Sequence, residues 1–385
     1  MTFDPTKPYD ALPDLPPRAD IDTKRVLKAC NEANKALARL NAEVKQLPNP
    51  ALLLPSISLL EAKASSEIEN IVTTNDQLFR GAFIENEPAD ASTREALRYQ
   101  HAIWDGFRKI GERPISTNTA INICRTIKDA DIDIRRIPGT TITNKSTHKV
   151  IYTPPAGEDL IRKKLANWET YLHEPSDIDP LIRMAVQHYQ FEAIHPFPDG
   201  NGRTGRVLNI LFLVEQKVLD LPILYLSREI LDHRNHYYET LEGVTRDSAW
   251  EDWIKYLLNL TGLSAARTQL KLEELRLLMA KAHIHIQQGM PRAASAELLA
   301  VIFSRPYCRI ADLVKAGVAK RETASEYQRA LVKIGVLDDI TAGREKIFIN
   351  QRLRLLLADR SSEVMGYSLN ALAPPTPMFA APTSP

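Results

Sequence analysis

One run in the 385-residue sequence gathers several reactive residue types: His195-Pro196-Phe197-Pro198-Asp199-Gly200-Asn201-Gly202-Arg203-Thr204-Gly205-Arg206. Gly200-Asn201-Gly202 lets the backbone aim successive N–H groups at one point, and a following helix adds its positive end, so together they form an anion cradle. Arg203 and Arg206 stand one helical turn apart and can both reach phosphate oxygens, which guanidinium groups grip bidentately. Asp199 is a hard oxygen ligand suited to a phosphate-bound Mg²⁺. His195 is mostly neutral near neutral pH and can accept a hydroxyl proton. Singly, Gly-Asn-Gly is a turn and a His before Pro is more often structural. In combination, a phosphate cradle, a metal carboxylate and a base describe phosphoryl or nucleotidyl transfer.

The neighbouring sequence must position that run. Ile182, Met184, Ala185, Val186 and Phe191 suit a buried helix upstream, and Val207, Leu208, Ile210, Leu211 and Val214 suit another downstream. A polar loop between two such helices is expensive to bury unless it binds something. Further upstream, Val26, Cys30, Ala33, Leu37, Leu40, Val44 and Leu47 alternate steps of four and three, which predicts one apolar helix face closed by Pro48 and Pro50. A second helix is expected from Ser56 to about Asn70, and a third opens with Ser92 and Glu95 as a capping-box pair. Thr140–Thr143 and Val150–Tyr152, around Asn144-Lys145-Ser146, predict a β-hairpin. Helical pattern resumes over 159–173 and from Asp179.

Beyond Pro291 the pattern gives helices over 293–303, 310–315 and 322–334, then strands over 336–341 and 346–350. Three helices and a two-stranded wing outline a winged helix-turn-helix. Residues 1–20 read as an extended Pro- and Asp-rich arm, and the Pro/Ala-rich tail reads as disordered. A net charge of +1 excludes a global field for nucleic acid or membrane. Cys30, Cys124 and Cys308 are too scattered for a metal site and read as buried small residues in a reducing compartment. No stretch is apolar enough to span a bilayer, so the expected location is cytoplasmic, away from membranes.

The run at 195–206 resembles the Fic signature HxFx(D/E)GNGRxxR at every specified position. The resemblance implies transfer of AMP from ATP to a Ser, Thr or Tyr hydroxyl of a protein, a protein adenylyltransferase reaction with Mg²⁺ or Mn²⁺. It implies His195 as the base and Asp199 as the metal ligand. Gly200, Asn201, Gly202, Arg203, Thr204, Gly205 and Arg206 become the nucleotide cradle, with Arg206 nearest the γ-phosphate and Phe197 as the loop's packing anchor. Gly202 favours the AMP-transferring orientation, since phosphorylating relatives of the Doc type carry Lys there. Tyr237 and Tyr238 resemble the aromatic pair beside the base.

Upstream, Ser65, Glu69 and Asn70 match the family's inhibitory pattern (S/T)xxxE(G/N), and Ser65 and Glu69 are spaced to share one helix face. The resemblance makes Glu69 a brake that pairs with Arg206 where the γ-phosphate belongs; in some relatives the same Glu supports AMP removal instead. The 140–152 hairpin falls where Fic proteins carry a flap that docks a target segment as an added strand. The expected fold is mainly α, a Fic helical core with a β-hairpin flap plus the C-terminal winged helix. The expected domains are 1–113 (helical, inhibitory), 114–290 (catalytic core), 291–358 (winged helix) and 359–385 (disordered tail). Self-modification and a homodimer stay open. So does DNA binding through Lys320, Arg321, Arg329, Lys333, Arg344 and Lys346, which would make the chain a nucleotide-sensing regulator.

Overall fold

The computed structural model describes residues 3–47, 50–84, 87–143, 149–342, 345–358 and 366–367. The hairpin turn at Asn144-Lys145-Ser146, Arg344 and most of the C-terminal tail lie outside them. Residues 1–46 and 57–270 form one compact unit, and 47–56 with 271–385 form a second. The division falls inside the helix Trp250–Gly289, between Leu270 and Lys271 and upstream of Pro291.

The first unit is helical. Its elements in order are α1 (Lys24–Lys45), α2 (Pro50–Ile68, shared with the second unit), α3 (Asn75–Phe83), α4 (Ala91–Ile110), α5 (Thr117–Lys128), β1 (Ile142–Thr143), β2 (Val150–Tyr152), α6 (Glu158–His173), α7 (Pro180–Ile194), α8 (Asn201–Glu215), α9 (Leu226–Asp232), α10 (Arg234–Asp247) and the start of α11 (Trp250–Gly289). The apolar stripe from Val26 to Val44 is buried on α1, as the spacing predicts. α2 begins six residues before Ser56 and carries Pro55 within it. The Ser92–Glu95 capping box is not formed. Asp90 caps α4 instead, its Oδ1 accepting from Thr93 N at 2.7 Å, and Glu95 is released for another role.

α7 sits at the centre, with every residue from Leu181 to Ile194 buried. A helix that enters a core on all sides must pair its polar groups internally. Gln187 Nε2 donates to Asn209 Oδ1 at 2.6 Å, and Gln190 Nε2 donates to Pro13 O at 2.9 Å. α8 packs against α7, α4 and α5. β1 and β2 pair antiparallel, Ile142 opposite Tyr152, with an irregular register between Ile142 and Thr143.

The second unit holds the end of α11, a 3₁₀ turn (Pro291–Ala293), α12 (Ala296–Ser304), β3 (Tyr307–Cys308), α13 (Ile310–Lys315), α14 (Arg321–Lys333), β4 (Asp338–Ala342), β5 (Glu345–Ile349) and α15 (Gln351–Leu357). Its antiparallel sheet runs β3–β5–β4. β3 and α15 are absent from the sequence expectation. Of the stretch expected to be a disordered tail, Gly366 O accepts from Arg352 at 3.2 Å, and Tyr367 stacks on His285. The three cysteines are buried and unbridged. Among the described residues no helix is long and apolar enough to cross a membrane.

Candidate active site

The site is built on the α7–α8 connection. His195 ends α7 in the left-handed region, φ 49°, which breaks the helix and turns the imidazole into a cavity. Arg135 holds that break: its Nε donates to His195 O at 2.8 Å, and its main-chain N donates to Pro196 O at 2.9 Å. Burial, reinforced by the Arg135 charge, pushes His195 down to about 4, so the imidazole is neutral at ordinary pH and available as a proton acceptor.

Gly200 opens α8 at φ 89°, a conformation that favours glycine, and a Cβ there would crowd Cys124 Sγ at 3.2 Å. The helix begins at Asn201, earlier than the apolar pattern from Val207 suggests, so both arginines ride its first turns. Asn201 serves the loop: its Oδ1 accepts from Phe197 N at 2.8 Å and its Nδ2 donates to Phe197 O at 2.7 Å. Phe197 itself is buried against Phe191.

Arg206 is buried and makes three contacts with the end of α2. Nε donates to Ser65 Oγ at 2.8 Å, and Nη2 donates to Ser65 O at 2.9 Å and Glu69 Oε1 at 3.0 Å. Glu69 lies just beyond α2, where Asn70 adopts φ 62°; Asn tolerates that conformation better than most residues, which gives the Glu-Asn pair a backbone reason. A Cβ on Gly202 would stand 2.6 Å from Glu69 Oε1 and 3.0 Å from Arg206 Nη1, so the ion pair needs glycine beneath it.

Arg203 turns the other way and pairs with Glu95 of α4 and, at 3.6 Å, with Asp199. Lys128 bridges the same two carboxylates, 2.9 Å from Glu95 and 2.6 Å from Asp199. These cations hold both carboxyls below their usual range against the opposing effect of burial. Among the described residues no group of three His, Cys, Asp or Glu side chains could cage a metal. Asp199 is nonetheless a half-exposed carboxylate at the loop tip, the donor set of an ion held chiefly by substrate phosphates.

A cavity of about 160 Å³ joins His195, Glu69, Gly202 and Arg206 to Tyr237 and Tyr238. Gly200, Asn201, Arg203, Thr204 and Gly205 do not line it. Thr204 is buried, and Gly205 leaves room for Glu192 Oε1 and His188, 2.6 and 3.3 Å from where its Cβ would lie. Tyr237 donates to or accepts from His188 Nε2 at 2.9 Å. Glu192, which also lines the cavity, is raised by burial to about 7.

Three family models match the chain: Fic/DOC family N-terminal over 27–108, Fic/DOC family over 107–213, and the C-terminal domain of SoFic-like protein adenylyltransferase over 278–353. The chain belongs to the Fic/DOC family. A probable protein adenylyltransferase of Aquifex aeolicus is 40% identical to it over 68 residues, 18% of this chain and 20% of that protein. Protein adenylyltransferase Fic of Nematostella vectensis is 35% identical over 91 residues, 22% and 21% of the two chains. The aligned region therefore spans about a fifth of these relatives. The fold is similar to that of a Fic family protein from Desulfovibrio desulfuricans, with TM-score 0.55, 18% identity, and 87% and 98% of the two chains covered. A Fic domain containing signaling protein from Bacteroides thetaiotaomicron gives TM-score 0.51 at 17% identity, over 63% of this chain and 95% of that one. The Fic/DOC match ends at 213, inside α8, so it takes in the whole run from His195 to Arg206. Glu95, Lys128, Arg135 and Glu192 are the Fic-site neighbours that sequence reasoning missed.

Proposed function

We propose that this chain is a protein adenylyltransferase that moves AMP from ATP to a protein hydroxyl and is restrained by Glu69. The observation that carries the reading is the convergence of a neutral His195 and a buried, carboxylate-bound Arg206 on one cavity. The acceptor hydroxyl, of Ser, Thr or Tyr, attacks the α-phosphorus while His195 takes its proton, and the bond to the bridging oxygen breaks to release pyrophosphate. Arg206 is the donor for the γ-phosphate, and its three present contacts must be partly exchanged for phosphate oxygens. Gly202, at the first turn of α8, offers its backbone to the phosphates beside it.

Asp199 would hold a divalent ion, Mg²⁺ or Mn²⁺, which would neutralise phosphate charge there, and Lys128 pairs with the same carboxylate at 2.6 Å. Glu69 opposes the productive pose in two ways: it occupies Arg206, and it sets a carboxylate beside a polyanion. Displaced phosphates could still bind, but in a geometry unfit for in-line attack. His195→Ala should abolish transfer of α-labelled AMP while nucleotide binding persists. Full activity in that variant would overturn the base assignment.

A further inference from the structure

The N-terminal arm runs from the body of the first unit to the mouth of the same cavity. From Tyr9 onward it is firmly tied. Tyr9 N donates to Thr153 O at 2.9 Å, Ala156 N to Asp10 Oδ1 at 2.8 Å, and Gln190 Nε2 to Pro13 O at 2.9 Å. Leu15 and Asn167 exchange two hydrogen bonds, and Leu12 and Leu15 are buried. Residues 3–8 are held differently. Asp4 closes a local turn through Thr6 and Lys7, and among the described contacts one hydrogen bond, Thr153 Oγ1 to Pro5 O at 2.7 Å, ties the segment to the body. Its other described contacts are those of the Phe3 ring. That ring stacks on Tyr152 of β2 at 6.2 Å and 25°, and meets Tyr9 edge-on at 5.6 Å.

Phe3 thereby forms one wall of the cavity that holds His195, together with Ile142, Ile151 and Tyr152 of the hairpin. With this wall in place the space is about 160 Å³, below the roughly 300–1,000 Å³ of sites that enclose a small ligand. A reaction at His195 needs room for a nucleotide and an acceptor side chain, so lining groups must move. Glu69 is the group in the way beside Arg206. On the hairpin side Phe3 is the lining group carried by the sparsely tied segment 3–8.

We propose that residues 3–8 occupy in cis the seat of the acceptor polypeptide, with Phe3 filling an aromatic subsite that an acceptor's own aromatic side chain takes beside its reactive hydroxyl. The inference rests on the adenylyltransferase reading for what happens at His195, but the seat itself is tested by binding alone. The strap swings about Tyr9, where firm anchoring begins, and an acceptor that brings an aromatic ring and pairs near Thr153 displaces it. The ligand class is a polypeptide with an aromatic residue next to a hydroxyl-bearing one.

The test uses a fluorescent peptide of residues 3–9 added to the full chain, wild type or Phe3→Ala, and followed by anisotropy. The peptide should bind the Phe3→Ala chain at least about tenfold more tightly than wild type, because its ring enters a vacated seat. A peptide with Ala at its first position should lose that advantage. Equal binding to both chains, or equal binding of both peptides, would overturn the proposal. In parallel, label from α-labelled ATP is followed on Glu69→Gly chains with and without Phe3→Ala; transfer to acceptor protein should rise several-fold in the double variant. Unchanged transfer there would count against the strap as a competitor. Peptide discrimination with no label in either chain would keep the seat and overturn the AMP-transfer reading.

Discussion

Replacing Glu69 with Gly removes the carboxylate from Arg206 and nothing else that Arg206 touches. The Glu69 Oε1–Arg206 Nη2 distance is 3.0 Å, which at an effective dielectric near 20 is an attraction of roughly 5 kcal/mol. Glu69 is 32% exposed and Arg206 is 2% exposed, so solvent screening cuts the usable part to about 2 kcal/mol. Productive nucleotide binding should therefore tighten about 30-fold, since ~1.4 kcal/mol is tenfold. The two Ser65 contacts remain to hold the guanidinium in place. The assay is labelling from α-labelled ATP over a range of ATP concentrations. Arg206→Ala also breaks the pair yet should stay inactive, because it removes the phosphate ligand, and the double variant should resemble it. Loosening of α2 alone would instead activate either single variant. Lower labelling by Glu69→Gly at every ATP concentration would refute the reasoning.

Three further outcomes follow from the neighbours of that pair. His195 sits near 4 rather than 6.5, so kcat/KM should hold nearly level from about pH 8 down to about pH 5.5, below the usual histidine range; a fall centred on the ordinary value would contradict its burial. Glu95→Gln removes the carboxylate that faces buried Arg203 as well as Lys128, and should cost about 2 kcal/mol in denaturant unfolding, since the buried guanidinium is left with its longer, 3.6 Å contact to Asp199. Glu192 is raised from 4.5 to about 7, so its folded form holds a proton that the unfolded chain releases. That contribution is complete below about pH 4.5 and is lost as pH rises through 7. Glu192→Gln should accordingly raise Tm at about pH 8 and leave it nearly unchanged at about pH 4.5.

The run from His195 to Arg206 was legible because one strand-free connection and one helix turn carry it, so its residues are neighbours in the chain as well as in space. Ser65 and Glu69 are 137 or more residues from Arg206, yet were found because the family pattern marks them. Glu95, Lys128 and Arg135 had no such mark. Each is an ordinary charged residue on a helix or loop, and its partner is fixed by how α4, α5 and α8 pack, which leaves no period in the sequence. Glu95 misled outright, since three residues after Ser92 it fits a cap that Asp90 actually provides. Asn201 and Phe197 show the same limit at short range: a loop can need an Asn to bind its own backbone. β3, two residues long, is too short to show alternation, and its place is set by pairing with β5.

Which phosphorus reaches protein separates AMP transfer from phosphoryl transfer. The Glu69→Gly chain should be incubated with Mg²⁺ and with ATP labelled at the α- or at the γ-phosphorus, and protein-bound label measured after denaturation, with His195→Ala in the same background as control. AMP transfer with His195 as base gives label from the α-position alone, absent in the His195→Ala control. Label from the γ-position, or α-label that survives the loss of His195, would contradict it.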